Sequence, residues 1–69
     1  MTNTALLTAA IEKSGLKKGW IAEQLNITRN ALAMKIANQS EFKASEVTRL
    51  AQILSLSKRE RDIIFLSKE

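Results

Sequence analysis

Proline is absent from the 69 residues, and the two glycines, Gly15 and Gly19, both fall in the first third. No segment alternates apolar and polar residues with the period of two that a half-buried strand needs. A chain with so few breakers and no strand pattern folds as helices joined by short turns. The helical period is clearest where Val47, Leu50, Ala51 and Leu54 recur at i, i+3, i+4 and i+7. This spacing predicts a helix beginning near Ala44. Four more are expected: roughly Thr4 to Ser14, with a stripe of Leu6, Leu7, Ala10 and Ile11 and a stop at Gly15; Lys18 to Leu25; Arg29 to Ala37; and one entered at Ser57. Thr28 is placed to cap the third helix, and Ser57-Lys58-Arg59-Glu60 has the form of a capping box for the fifth. No linker or repeat divides this order, so one all-α domain is expected over residues 1–69.

A chain this short buries only about 60% of the surface it exposes when unfolded, and its stability is correspondingly marginal. Cysteine and histidine are both absent, which removes disulfides and the usual zinc ligand sets. The acidic residues show no metal-binding spacing and there is no glycine-rich phosphate loop, so neither catalysis nor a metal or other cofactor is expected. A small-molecule ligand is not expected either. The longest apolar runs, such as Ile63 to Leu66, are too short to span a bilayer, and the first residues lack a signal-peptide pattern. The expectation is a soluble intracellular protein without membrane association. A net charge of +4 and a pI near 9.9 suit a polyanionic partner.

Helices two and three are separated by little more than Asn26, Ile27 and Thr28. So tight a connection forces a steep crossing, the helix-turn-helix arrangement. Such a crossing needs a small residue on the first helix, and Ala22 is there; Leu25, Ile27 and Leu32 then form the wedge between the two. The run Leu16-Lys17-Lys18-Gly19-Trp20-Ile21-Ala22-Glu23-Gln24-Leu25-Asn26-Ile27-Thr28 and the later Lys35-Ile36-Ala37-Asn38-Gln39-Ser40-Glu41-Phe42 resemble the helix-turn-helix family of phage Cro proteins and repressors, within the larger bacterial group of xenobiotic-response-element regulators. The resemblance covers about Leu6 to Leu56 and implies a compact five-helix, lambda-repressor-like DNA-binding fold. Asn26 and Asn38 stand where that family usually has glycine, and asparagine is the next residue to tolerate the left-handed backbone those turns require. Lys43 replaces the Thr or Ser that commonly caps helix four there.

With Leu32 and Ile36 turned inward, about 100° per residue puts Asn30, Ala33, Met34 and Ala37 on the opposite side of helix three, with Arg29 on its flank. There is no acidic residue from Asn26 to Ser40, so nothing on this face is repelled by the phosphates on either side of a major groove. The alanines allow close approach, and Ala33, Met34 or Ala37 can pack on thymine methyl groups. Asn30 can pair with adenine through two hydrogen bonds, and Arg29 can reach guanine or a phosphate. Phosphate-holding groups are expected around it: Lys17 and Lys18 at the start of helix two, Thr28, Lys35 as a weaker candidate, and Asn38, Gln39, Ser40 and Lys43 after helix three. In the family a polar residue at the place of Lys18 holds phosphate.

The expected partner is a double-stranded DNA operator. The 69-residue length favours a Cro-like repressor over a full-length repressor with a further domain, and the resemblance implies a location in the cytoplasm of a bacterial cell or phage-infected host, associated with the nucleoid. A homodimer is also expected, at least on DNA, because Ile63, Ile64, Phe65 and Leu66 point all around helix five and one monomer cannot cover all four. The competing expectation is a helix-turn-helix protein-interaction module, such as an antirepressor, antitoxin or adaptor, with no specific DNA reading. Trp20 projects away from the inner face of helix two; either it covers the side of helix one or three, or it offers its indole N–H to a phosphate or its ring to a partner. Phe42 is expected to anchor its loop to the core.

Overall fold

A computed structural model describes residues 1–65, in which α1 (Thr4–Ser14), α2 (Lys18–Gln24), α3 (Arg29–Ile36), α4 (Ala44–Ile53) and α5 (Lys58–Phe65) follow in order. No strand occurs among the described residues. The helix starts follow from local capping. Asn3 Oδ1 accepts from the Leu6 N–H at 3.0 Å, and Thr28 Oγ1 from the Ala31 N–H at 3.0 Å, each satisfying a first-turn amide that has no intrahelical acceptor. At α5 the capping box is complete: Ser57 Oγ accepts from the Glu60 N–H at 3.1 Å, and Glu60 Oε1 from the Ser57 N–H at 2.8 Å. Lys43, which precedes α4, has no acceptor in its side chain. Glu46 supplies half a box instead, its Oε1 accepting from the Lys43 N–H at 2.9 Å.

Three of the helices end alike. After α2, Asn26 adopts φ 60° while its N–H donates to Glu23 O and the Ile27 N–H donates to Ala22 O. After α3, Asn38 has φ 64° and the Asn38 and Gln39 N–H groups donate to Lys35 O and Met34 O. After α4, Ser55 has φ 55° and the Ser55 and Leu56 N–H groups donate to Gln52 O and Ala51 O. Each is the paired-bond left-handed stop that glycine most often supplies. Both asparagines therefore take the backbone conformation expected of them; Ser55 has no sequence signal for it. Gly15, at φ 73°, ends α1 where expected.

One core holds the helices together. Leu7 and Ile11 of α1, Ile21 and Ala22 of α2, Leu25, Leu32 and Ile36 around α3, Leu50 of α4 and Ile64 and Phe65 of α5 form a single buried cluster. α2 packs on α3 and α4, α1 on α3 and α5, and α4 on α5. Ile27, Phe42, Val47, Leu54 and Leu56 close its edges, and the Phe42 ring meets Phe65 edge-on at 5.4 Å. Phe42 thus ties the loop after α3 to the core, as expected.

The end of α5 corrects one expectation. Ile64 and Phe65 are only 5% and 6% exposed, so they belong to the monomer's core and are not free to form a dimer contact. Ile63 alone of the three turns outward, at 47% exposure, and Leu66 lies outside the described residues. α1 and α4 both pack on α5, the Phe42 ring meets Phe65, and the Asn3 N–H donates to Ile64 O at 2.7 Å, contacts that helical periodicity cannot reveal. Leu6, expected within the stripe of α1, is exposed.

Candidate nucleic-acid interface

α2 and α3 are joined through residues 25–28 and pack on each other, Ala22 and Leu32 are both buried in the core, and α3 presents its other side to solvent. Arg29, Asn30, Ala33, Met34 and Ala37 are all exposed, as the helical wheel requires once Leu32 and Ile36 are inside. Two of them touch: Asn30 Nδ2 lies 3.8 Å from Met34 Sδ, one turn along the helix. Thr28 Oγ1 accepts the capping bond, which leaves its O–H able to donate outward. Lys17, Lys18, Gln39, Ser40 and Lys43 are exposed.

Two of the expected phosphate ligands are committed elsewhere. Lys35 turns away from the open face toward α4, where its Nζ donates to Glu46 Oε1 at 2.6 Å with both side chains almost buried. The carboxylate needs that partner. Burial pushes the Glu46 pKa up, but the hydrogen bonds from Lys35 and the Lys43 N–H, together with the two positive charges, outweigh it and hold the group below the ordinary carboxylate range. Asn38 is likewise engaged: its Oδ1 accepts from the Thr2 N–H at 3.0 Å, and its Nδ2 donates to Thr2 O at 2.6 Å and to Thr4 Oγ1 at 3.3 Å. The N–H groups of Asn38, Gln39 and Lys43 also bond within the chain, so the segment after α3 can offer the side chains of Gln39, Ser40 and Lys43 but not those amides.

Trp20 is 44% exposed on α2. Helical periodicity says only that it lies off the inner face of α2. Arg49 Nη2 donates to Gln24 Oε1 at 3.0 Å and ties α4 to α2, a contact with no sequence signal. Among the described residues no group of His, Cys, Asp or Glu could hold a metal ion, and no helix is long and apolar enough to cross a membrane.

The fold and this surface define an all-α protein with a short exposed helix face that bears no carboxylate and is flanked by cations. Comparison with protein-family models, with curated proteins and with solved structures gave no match to the chain.

Proposed function

We propose that the chain is a sequence-specific double-stranded-DNA-binding transcriptional regulator of the phage Cro-like repressor type. In this reading α2 and α3 form a helix-turn-helix, and α3 enters the major groove of a near-palindromic operator. The observation that carries it is the outward face of α3, where Asn30, Ala33, Met34 and Ala37 are exposed together with Arg29 at the helix start. Small side chains let the helix axis approach the base edges, Asn30 offers the donor and acceptor that adenine matches, and Lys17, Lys18 and Lys43 stand as phosphate ligands around it. Lys35 contributes differently, by fastening α3 to the start of α4 through Glu46.

A two-fold operator calls for two copies. The exposed apolar residues Leu6 and Ile63 line one open groove of about 720 Å³ between α1, the end of α4 and α5, with Lys13 and Glu60 beside them. A groove with both protruding apolar side chains and charges of both signs can serve as a self-complementary patch for a homodimer. Reading such an operator requires two recognition helices roughly 34 Å apart, one DNA turn.

The alternative, a protein-interaction module without DNA reading, draws support from Trp20, because exposed tryptophan is enriched at the energetic centres of protein interfaces. Selection of bound duplexes from a random DNA pool, followed by titration of the winner from about 50 to 200 mM salt, separates the two. The DNA reader yields a consensus and an affinity that falls steeply with salt. No enrichment of any duplex, with only weak and sequence-blind binding, would leave the interaction module.

A further inference from the structure

Met34 occupies the middle of the outward face of α3, 38% exposed, with its sulfur in contact with the amide of Asn30. We propose that Met34 is a site of reversible sulfoxidation by peroxide, and that its oxidation switches off the face that α3 presents to DNA. The inference rests on the proposed role of α3 and concerns the regulation of that same surface.

The chemistry is a two-electron transfer. The thioether sulfur of Met34 attacks one oxygen of hydrogen peroxide, the O–O bond breaks, an S–O bond forms, and the second oxygen leaves as water after taking up the proton. Sulfur is oxidised and peroxide reduced, with no other reactant. The chain has no cysteine to intercept the oxidant, and its only other methionine is Met1, which is 67% exposed at the N-terminus and lines a different groove with Phe42 and Phe65. Sulfoxide reduction by a thiol-dependent reductase restores the thioether, which makes the change reversible.

Two physical consequences follow from the position of the sulfur. A thioether is a weak acceptor, and the 3.8 Å contact holds the Asn30 amide only loosely, free to turn toward a base edge. A sulfoxide oxygen is a strong acceptor that reaches into this gap, drawing the amide back along its own helix. At the same time an apolar surface suited to a thymine methyl becomes a polar one that must be desolvated against that methyl. Both effects weaken the oxidised face for DNA, and the expected loss is at least about tenfold in affinity, the scale of one lost base contact.

The test uses the full chain treated with hydrogen peroxide, with oxidation at each methionine read by peptide mass spectrometry. Duplex binding is measured on the sequence recovered from the random pool. Treated protein should bind at least about tenfold more weakly and recover after incubation with methionine sulfoxide reductase. Met34→Leu, whatever its starting affinity, should bind equally before and after treatment although Met1 still oxidises. In the free protein the side-chain amide resonances of Asn30 should shift on oxidation and return on reduction. Full conversion of Met34 with unchanged binding overturns the inference, as does an equal loss in Met34→Leu or an unmoved Asn30 amide. If untreated protein binds no duplex at all, the proposed function itself fails, an outcome distinct from binding that is insensitive to oxidation.

Discussion

The side chain of Asn38 grips the backbone of Thr2 on both of its polar groups, accepting from the N–H at 3.0 Å and donating to the carbonyl at 2.6 Å. The two residues are 36 apart in the chain, and the contact clasps the N-terminus to the exit of α3. It also explains why asparagine, and not the less strained glycine, can serve at this left-handed turn.

Asn38 and Ser55 share a left-handed backbone, with φ 64° and 55°, so glycine relieves strain at either. Ser55 makes no side-chain hydrogen bond among the described residues, and Ser55→Gly is expected to stabilise by up to about 1 kcal/mol. Asn38→Gly also loses the clasp and is expected to destabilise by about 1–2 kcal/mol, since each hydrogen bond is worth a net of roughly 0.5–1.5 kcal/mol. Urea midpoints of the two variants should move in opposite directions. If both rise, the clasp adds nothing to stability.

Glu46 links acidity to the fold. Its folded-state pKa lies below its unfolded value, so its contribution is fully present above about pH 4.3 and is lost as pH falls through the lower folded value. Glu46→Gln removes the charge from an almost buried pair and should cost about 1.5–3 kcal/mol near pH 7. The difference between wild type and Glu46→Gln should shrink below about pH 4. A difference that stays constant from neutral to acid pH would show that the pair with Lys35 contributes nothing through charge.

Ala22 is buried on α2, the helix that packs on α3 and α4. Ala22→Leu adds three carbons there and is expected to cost about 1–3 kcal/mol by overpacking, a large part of a marginal stability. Thermal unfolding reads the loss. Unchanged stability together with unchanged duplex binding would argue against a close α2–α3 crossing as the basis of recognition.

Asn30→Ala should weaken the best operator by about 1–3 kcal/mol and relax preference at one base pair, whereas Lys18→Ala should weaken all duplexes alike and flatten the salt dependence by about one unit of log–log slope. Binding to a panel of single-base variants distinguishes them. A uniform loss from Asn30→Ala would remove its base-reading role.

Association is expected through Leu6 and Ile63. Both are exposed, so Leu6→Ser and Ile63→Ser should leave the monomer folded while reducing two-to-one occupancy of a symmetric duplex. Phe65→Ser, by contrast, should unfold the protein by about 3 kcal/mol or more, because Phe65 is in the core. Analytical ultracentrifugation of each duplex complex gives the stoichiometry. Two-to-one complexes that persist in the Leu6→Ser, Ile63→Ser double variant would place the dimer contact elsewhere.

Sequence alone determined the five helices, their order and nearly all of their ends, because these depend on interactions within a turn or two: the apolar spacing of Val47, Leu50, Ala51 and Leu54, the Thr28 cap, the Ser57–Glu60 box and the stop at Gly15. It also separated the two sides of α3, since burying Leu32 and Ile36 leaves Asn30, Ala33, Met34 and Ala37 outside whatever they pack against. Tertiary structure alone decided which lysine was free. Lys35 and Lys43 look alike in sequence, but Lys35 places its ammonium on Glu46, 11 residues on, whereas Lys43 bonds that carboxylate through its backbone N–H and leaves its side chain exposed. The same holds for Asn38, whose side chain is engaged by Thr2, and for the apolar run at the end of α5, where Ile64 joins the core and Ile63 stays exposed. A helical wheel assigns residues to directions on one helix. Which directions are covered depends on chain segments brought together only when the whole fold closes.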